Sequence, residues 1–565
     1  MKAVEFNDGS VHYYANGSFS FEQDIIVTGN TTLVIANATI RFVQTRNNQY
    51  GIELSGSASG DPRLEVRNST FTSTRSFEVS LFDASSAFVN NLNFTGSTSS
   101  SIKLYGNASL TALDSRLAFV YCYDYSRSSA VGCRQALFFV YDYSFANISG
   151  STFDRVQVYD YGKASVSLCT VSYAIRAEDM AEIMVTASSL LGEIYSGQNS
   201  SVSLDDINLY QFKVRCYNNG NITVFSAAST PSKYPGEFWL DGSAQISLDN
   251  CSLTDAIYRV KGNSTLEVKN SLLGSSIFYC YNFSETKFSD SYADWLIEAL
   301  QQSKVNASNS DLNVVSAEDD SSIYLDNCQV GRFRCYESAE VLVLNSNAEE
   351  VLVELMSVNQ TFHGFSEGYR DSVGLSAVGL NATFLNTSIE TGWSFRFLGS
   401  SNITFYDSKL RNLDLFDDSK VYLWNTSYTA VNVRDNAEVV VWSYLMVRVI
   451  DYFGRPVEGV NLTVTVPASY EYGVSDENGE AVFQLFERNV NASGDFPVET
   501  YVLTIVFDGS SYSYDVVLEG SKTFVYTVAS PWWYFYMFYG LGVCAVVVAG
   551  AVIVWFFKRK RASKG

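Results

Sequence analysis

One ten-residue phrase recurs along the chain and limits what it can fold into. It reads small–x–apolar–x–apolar–x–Asn/Asp–Ser/Cys/Thr–x–apolar. Copies are "ASLTALDSRL" from Ala108, "AQISLDNCSL" from Ala244, "STLEVKNSLL" from Ser264, "SSIYLDNCQV" from Ser321, "SNITFYDSKL" from Ser401 and "SKVYLWNTSY" from Ser419. Looser copies begin at Ala164, Ala181 and Ser200. Well-defined starts fall about 17 to 22 residues apart, too close for a helix pair but enough for two or three short strands and their turns. Alternation places the second and fourth residues after each start on one side of a strand. Val305/Ala307, Ile323/Leu325, Val341/Val343, Ile403/Phe405 and Val421/Leu423 are therefore expected to point inward. One unit cannot bury such a face alone. Coiling the chain so that units stack as parallel strands, ~4.8 Å apart, makes one continuous core. The recurrent Asn or Asp then marks a tight turn, because Asn tolerates the left-handed region. Stacked copies at Asn250, Asn270, Asn309, Asn327, Asn345 and Asn425 are expected to bond up and down as a ladder.

This grammar, with its stacked turn asparagines, resembles the right-handed parallel β-helix of the pectate-lyase-like superfamily over roughly residues 20 to 440. The likeness lies in the repeat and not in an active-site motif. Residues 1–50 are expected to form a start cap and first coils, in which no clean turn asparagine stands out, and 51–445 the helix itself.

From about Met446 the punctuation changes. "VRVIDYFGRPVEGVNLTVTV", "VSDENGEAVFQL" and "YVLTIVFDG" read as alternating strands broken by Gly454, Pro456 and Gly459. The stretches Asp451 to Val460 and Asp476 to Ala481 resemble the carboxypeptidase-regulatory-like, transthyretin-like family, which implies a non-catalytic β-sandwich over 446–528. Its acidic turn, Asp476/Glu477/Asn478, reads as an Asn-Gly turn, with calcium binding as the alternative.

Residues 532–557 are an uncharged run, "WWYFYMFYGLGVCAVVVAGAVIVWFF", with aromatics at both ends. As a helix it would span about 39 Å, enough to cross a ~30 Å hydrocarbon core. The expected anchor region is 529–557, followed by a basic tail over 558–565 carrying Lys558, Arg559, Lys560, Arg561 and Lys564. By the positive-inside rule the tail is cytoplasmic and the body outside. No apolar signal segment begins the chain, so a removed signal, a truncated start or a tail-anchored cytoplasmic body stay open. Twenty Asn-x-Ser/Thr sequons favour the outside. Asn147, Asn221, Asn306, Asn381 and Asn402 are the glycosylation candidates on outward strand positions.

The net charge of −22 conceals an asymmetry: without the five tail cations the body holds 33 basic residues against 60 acidic, a net of −27. Such a body is unsuited to nucleic acid, which needs clustered Lys and Arg. Adjacent acids at Asp205/Asp206, Asp319/Asp320 and Asp417/Asp418 sit at turns, where neighbours diverge and make no catalytic pair by themselves. Two histidines, His12 and His363, lie far apart, and no C-x-x-C or phosphate loop occurs. No catalytic residue or cofactor is therefore assigned, and the metal question is open. Eight cysteines lie outside the apolar run, and Cys122 with Cys133 is the best disulfide candidate. Tyr121, Tyr123, Tyr125, Tyr141, Tyr143, Tyr159 and Tyr161 recur at coil spacing and should stack on one face, as a structural ladder or a sugar-binding strip.

The reading is an all-β chain: parallel β-helix, small sandwich, one transmembrane helix. Its expected role is structural, adhesive or glycan-binding at the outer surface of the plasma membrane, with envelope glycans or surface-layer proteins as partners. The alternative is a membrane-tethered polysaccharide lyase or glycoside hydrolase.

Overall fold

The structure is a computed structural model that describes residues 3–56, 60–96, 99–337, 339–355, 359–363, 366–367, 376–388, 394–466, 469–498, 500–528 and 541–555. It forms two compact units, Met1–Leu398 and Gly399–Gly565.

In the first unit each turn of chain lays one strand on each of three faces. On the first face Lys304–Ser308, Ser322–Asp326 and Glu340–Leu344 stack in parallel, with Val305 beside Ile323 and Ile323 beside Val341. Ile323, Leu325, Val341 and Val343 are buried, as alternation requires. A single residue then turns the chain. Asn309, Asn327 and Asn345 hold φ values of 48°, 52° and 48°, a left-handed conformation that costs most L-residues about 1–2 kcal/mol and that Asn visits readily. Past the turn, Cys328 and Val330 point inward again. Asp311–Ala317 and Gln329–Glu337 pair across the second and third faces. They bend at Gly331, where a Cβ would stand 2.7 Å from the carbonyl oxygen of Asn313.

A second tight turn leads from the third face back to the first and explains the small residue that opens each phrase. Ser303 and Ser321 are fully buried beneath it. Ser303 Oγ accepts the Leu300 N–H at 3.0 Å, and Ser321 Oγ accepts the Glu318 N–H at 3.1 Å. A larger side chain would displace the turn; each of these N–H groups also donates to a backbone carbonyl of the coil before, Leu300 to Cys280 and Glu318 to Ala299, both at 2.9 Å, so Ala serves as well in other phrases.

The coil is already present at the start of the described chain. Val4–Phe6, Val11–Ala15 and Ser18–Phe21 pair in parallel with Ile25–Thr28, Thr32–Ala36 and Thr39–Phe42. No clean turn asparagine is expected here from the sequence, yet Asn16 and Asn37 are both left-handed, and Asn37 donates to Asn16 at 3.3 Å. Gly17 and Ala38 follow them where the phrase has Ser, Cys or Thr, which hid the pattern.

In the second unit Asn402–Tyr406, Lys420–Trp424 and the start of Glu438–Ile450 stack as coils. The last strand then runs through the boundary expected at 445/446. It pairs antiparallel with Glu480–Asn491 and parallel with Lys522–Thr527. A second, four-stranded sheet of Ser469–Val474, Asn461–Val466, Tyr501–Phe507 and Ser510–Val516 faces it. Leu445, Val447 and Val449 pack with Leu462, Val464, Leu503 and Ile505 between the sheets. Coil and sandwich therefore share a strand, with no linker between them. Asp476 Oδ1 accepts the N–H groups of Asn478 and Glu480, and Gly479 turns left-handed beside them. These backbone bonds, that of Glu480 foremost, hold the Asp476 carboxyl below its ordinary range.

A helix covers 541–555; it carries no charge, and all its residues are exposed. Among the described residues no helix is long and apolar enough to cross a membrane. The expected span 532–557 extends past this helix at both ends, outside the described residues, as does the tail 558–565.

Candidate functional site

The third face of the first unit gathers the unusual side chains. Its buried partners (Ile102, Val120, Phe138, Val156, Ile175, Ile194) turn in, so the next residue of each strand turns out. In register, the outward file runs Lys103, Tyr121, Phe139, Gln157, Arg176, Tyr195, Arg215, Trp239, Arg259, Tyr279 and Glu298.

Beside it, three successive turns read Tyr-Asp-Tyr. Rings of Phe82, Tyr105, Tyr123, Tyr141 and Tyr159 form one stack with successive centroids 4.9, 4.9, 5.0 and 5.0 Å apart. Tyr125, Tyr143 and Tyr161 form a second at 5.4 and 4.9 Å. The aspartates between them are left-handed. Asp142 accepts the Asp124 N–H at 3.2 Å, and Asp124 accepts the Gly106 N–H at 2.9 Å. Because ring lies on ring, the stacks close most of their own faces and present edges and hydroxyls. Burial, then the neighbouring Tyr159, pushes the Tyr141 phenol up to about 12, and burial pushes Tyr123 higher still. Both remain protonated hydrogen-bond donors at neutral pH.

Farther along, cations alternate with rings. The Arg176 guanidinium lies 4.4 Å from the Tyr195 ring centre and pairs with Glu178. Arg215 pairs with Glu193 at 2.8 Å. Arg259 lies 4.7 Å over Trp239, and Lys261 stands 5.6 Å from Trp239 and 5.2 Å from Tyr281. This alternation escapes sequence inspection because the coils here differ in length: Arg215 and Trp239 are register partners 24 residues apart, Trp239 and Arg259 only 20. Aligning the turns instead of the phrases would have exposed it.

The sequence candidates fall elsewhere. Asn327 donates to Asn309 at 2.8 Å, but Asn345 donates to Asp326 at 3.3 Å, Asn270 to Asp249 at 3.0 Å, Asn250 to Ser226 at 3.0 Å and Asn425 to Asp407 at 2.6 Å. The ladder is thus a surface chain of mixed acceptors and not a run of amides alone. Asn147, Asn221 and Asn402 are exposed on the first face, while Asn306 and Asn381 are half-buried and Asn306 donates to Glu285 at 2.9 Å. Cys122 and Cys133 are both buried and free, so the disulfide considered for them is not formed. Cys122 faces Ser128 on the inside of a strand, whereas Cys133 follows a turn and faces the Val131 carbonyl. Asp206, Asp319 and Asp417 occupy left-handed turn positions, and Asp417 accepts the Gly399 N–H at 2.9 Å. His363 has a described backbone only. Among the described residues no three His, Cys, Asp or Glu side chains converge as a metal site. A depression of about 410 Å³ on the first face is lined by Asn306, Tyr324, Leu342 and Glu340, with Glu340 its one carboxylate among the described residues.

Residues 16–172 match the family described as a right-handed β-helix region. No curated protein matches the chain. Among solved structures, the chain is similar to the tailspike protein of E. coli bacteriophage HK620 in complex with a pentasaccharide, at 10% identity over 91% of this chain and 85% of that one, TM-score 0.13. It is also similar to a mutant of that tailspike with a pentasaccharide, at 9% identity over the same shares, TM-score 0.11. Likeness at that level places no constraint on what this chain binds. Over 16–172 the chain is therefore similar to the right-handed β-helix family, in agreement with its coiled architecture.

Proposed function

We propose that this is a membrane-anchored, N-glycosylated cell-surface protein whose β-helix makes structural or adhesive contacts with envelope glycans. The observation that carries the reading is the uncharged helix over 541–555, exposed along its whole length and followed by a basic tail. An exposed apolar helix suits lipid, and the Lys/Arg tail sets its direction. The sandwich, which resembles carboxypeptidase-regulatory-like modules, then spaces the coils from the bilayer, and the shared strand Glu438–Ile450 makes that joint stiff. Twenty sequons suit an exported body. The aromatic and cationic third face supplies the hydroxyl and charged groups that sugars engage.

Glycopeptide mass spectrometry of the protein from its native membrane tests this reading. Glycans are expected at Asn147, Asn221 and Asn402, whose positions are exposed, and less at Asn250 and Asn425, whose amides are engaged in the ladder. A wholly unmodified chain would contradict an exported, glycosylated body.

A further inference from the structure

At one end of the sandwich the last described strand runs out beside a turn that holds two rings in solvent. Glu438–Ile450 and Lys522–Thr527 lie parallel and finish together, with Ile450 opposite Thr527. The Val528 N–H then donates to the Ile450 carbonyl at 2.8 Å. Four residues after Val528 the uncharged run opens with Trp532 and Trp533. Four residues of extended chain reach at most about 14 Å. On the neighbouring strand the residues just past Ile450 lead to Tyr452 and Phe453, which are 66% and 59% exposed.

The turn is built to keep them there. Asp451 Oδ1 accepts the N–H groups of Phe453 and Arg455 at 2.8 and 2.9 Å. The Gly454 N–H donates to the Asp451 carbonyl at 2.9 Å, and the Asp451 N–H to the Arg455 carbonyl at 2.8 Å. Gly454 holds a φ of 78°, which glycine adopts without strain. The two rings stand nearly perpendicular, with centroids 5.7 Å apart. The Arg455 guanidinium lies 5.3 Å from the Phe453 centroid and pairs with Asp451 at 2.8 Å, so the ring-bearing turn is neutral. Asn461 pairs with Val474 and with Val506, which brings the turns at Asp476–Gly479 and Asp508–Gly509 to the same end. Those turns hold Asp476, Glu477 and Asp508 and no ring. Rings held in water forgo apolar burial, and a Tyr with its apolar body and polar tip suits a membrane–water boundary.

We infer that the Tyr452–Phe453 turn seats in the headgroup layer of the bilayer that the proposed anchor enters, with the acidic turns left in water. The inference rests on the membrane-anchored reading and adds to it a second point of contact with lipid. Two attachments on neighbouring strands restrain the tilt of the sandwich, which a single span would leave free.

The experiment reconstitutes the full chain in phosphatidylcholine vesicles that carry a photoactivatable diazirine lipid, with the diazirine either in the headgroup or in the acyl chain. Mass spectrometry then locates the adducts. Headgroup adducts are expected across Tyr452–Arg455, and acyl-chain adducts within 541–555. Phe496 serves as the ring control and should acquire neither. It is also exposed, but it pairs with Asn489 opposite Val440, ten residues before Ile450, or about 33 Å along the strand. Tyr452→Ser/Phe453→Ser keeps Asp451, Gly454 and Arg455 and should lose headgroup adducts on Gly454 and Arg455 severalfold. Phe496→Ser should leave them unchanged. Melting curves check that both variants fold; if the double variant does not, the adduct map of the unmodified chain decides. Acyl-chain adducts within 541–555 with the Tyr452–Arg455 turn bare would overturn this inference alone, as would undiminished adducts on Arg455 in the folded double variant. No acyl-chain adduct within 541–555 would overturn the anchored reading and this inference with it.

Discussion

Asn327 donates from Nδ2 to Oδ1 of Asn309, 18 residues and one coil earlier, at 2.8 Å, and both side chains stand at the surface. The ladder therefore contributes less through burial than through the backbone it permits. Asn327→Leu should destabilise the first unit by about 1–2 kcal/mol, the cost of forcing a branched side chain into the left-handed region. Asn327→Gly keeps that conformation and should cost only a few tenths of that range. Thermal melts of the two variants separate the contributions. A glycine variant as unstable as the leucine one would put the weight on the amide bond instead.

Leu168 occupies the corresponding turn of another coil with φ 54° and 67% of its surface exposed. It carries the strain of the turn without an amide to match it. Leu168→Asn should raise stability by about 1 kcal/mol, visible as a higher denaturant midpoint at unchanged slope. A lower midpoint would show that the leucine makes contacts worth more than the strain.

In the sandwich, Glu487 is buried beside Ser443, accepts the Gly520 N–H at 3.0 Å and pairs with Arg488 at 2.9 Å. Glu487→Leu leaves that N–H and the hydroxyl without their acceptor, while Arg488 keeps Asp495 at 3.0 Å, and should cost about 3 kcal/mol. Hydrogen exchange should then speed up across Glu480–Asn491 while the first unit is unchanged. Equal protection in mutant and parent would mean that water replaces the carboxylate.

The eight buried thiols test the packing through pH. Burial pushes Cys216, Cys280 and Cys335 from 9.0 up to about 12, and Cys122 up to about 11. A thiol whose folded pKa is raised favours the fold fully below its unfolded pKa. That stability is lost as pH rises from about 9 towards the folded value. Chemical stability should therefore decline between pH 9 and 12. In Cys544→Ser protein, Ellman's reagent at pH 8 should find no reactive thiol before unfolding and eight after it. Fewer than eight after unfolding without reductant would reveal disulfides.

The coils were legible because one period dictates both burial and turning. Ile323, Leu325 and the turn at Asn327 follow from alternation and from the left-handed tolerance of Asn. The coils at Asn16 and Asn37 were not recognised, since their phrases lack the Ser or Cys that normally follows. The tyrosine stacks could be foreseen, because their coils share one length. The Arg259–Trp239 file could not, because it depends on register between coils of unequal length. Pairing Cys122 with Cys133 failed for a related reason: nearness in sequence placed them on different sides of the coil.

The proposed topology turns the coils outward from a membrane held by the apolar segment that includes 541–555. Protease added to intact cells, with an antibody against 558–565 as the readout, tests it most directly. The body should be digested while a short fragment retaining the basic tail survives inside. A full-length chain that stays intact until the cells are lysed, or a tail removed while the body is spared, would contradict it.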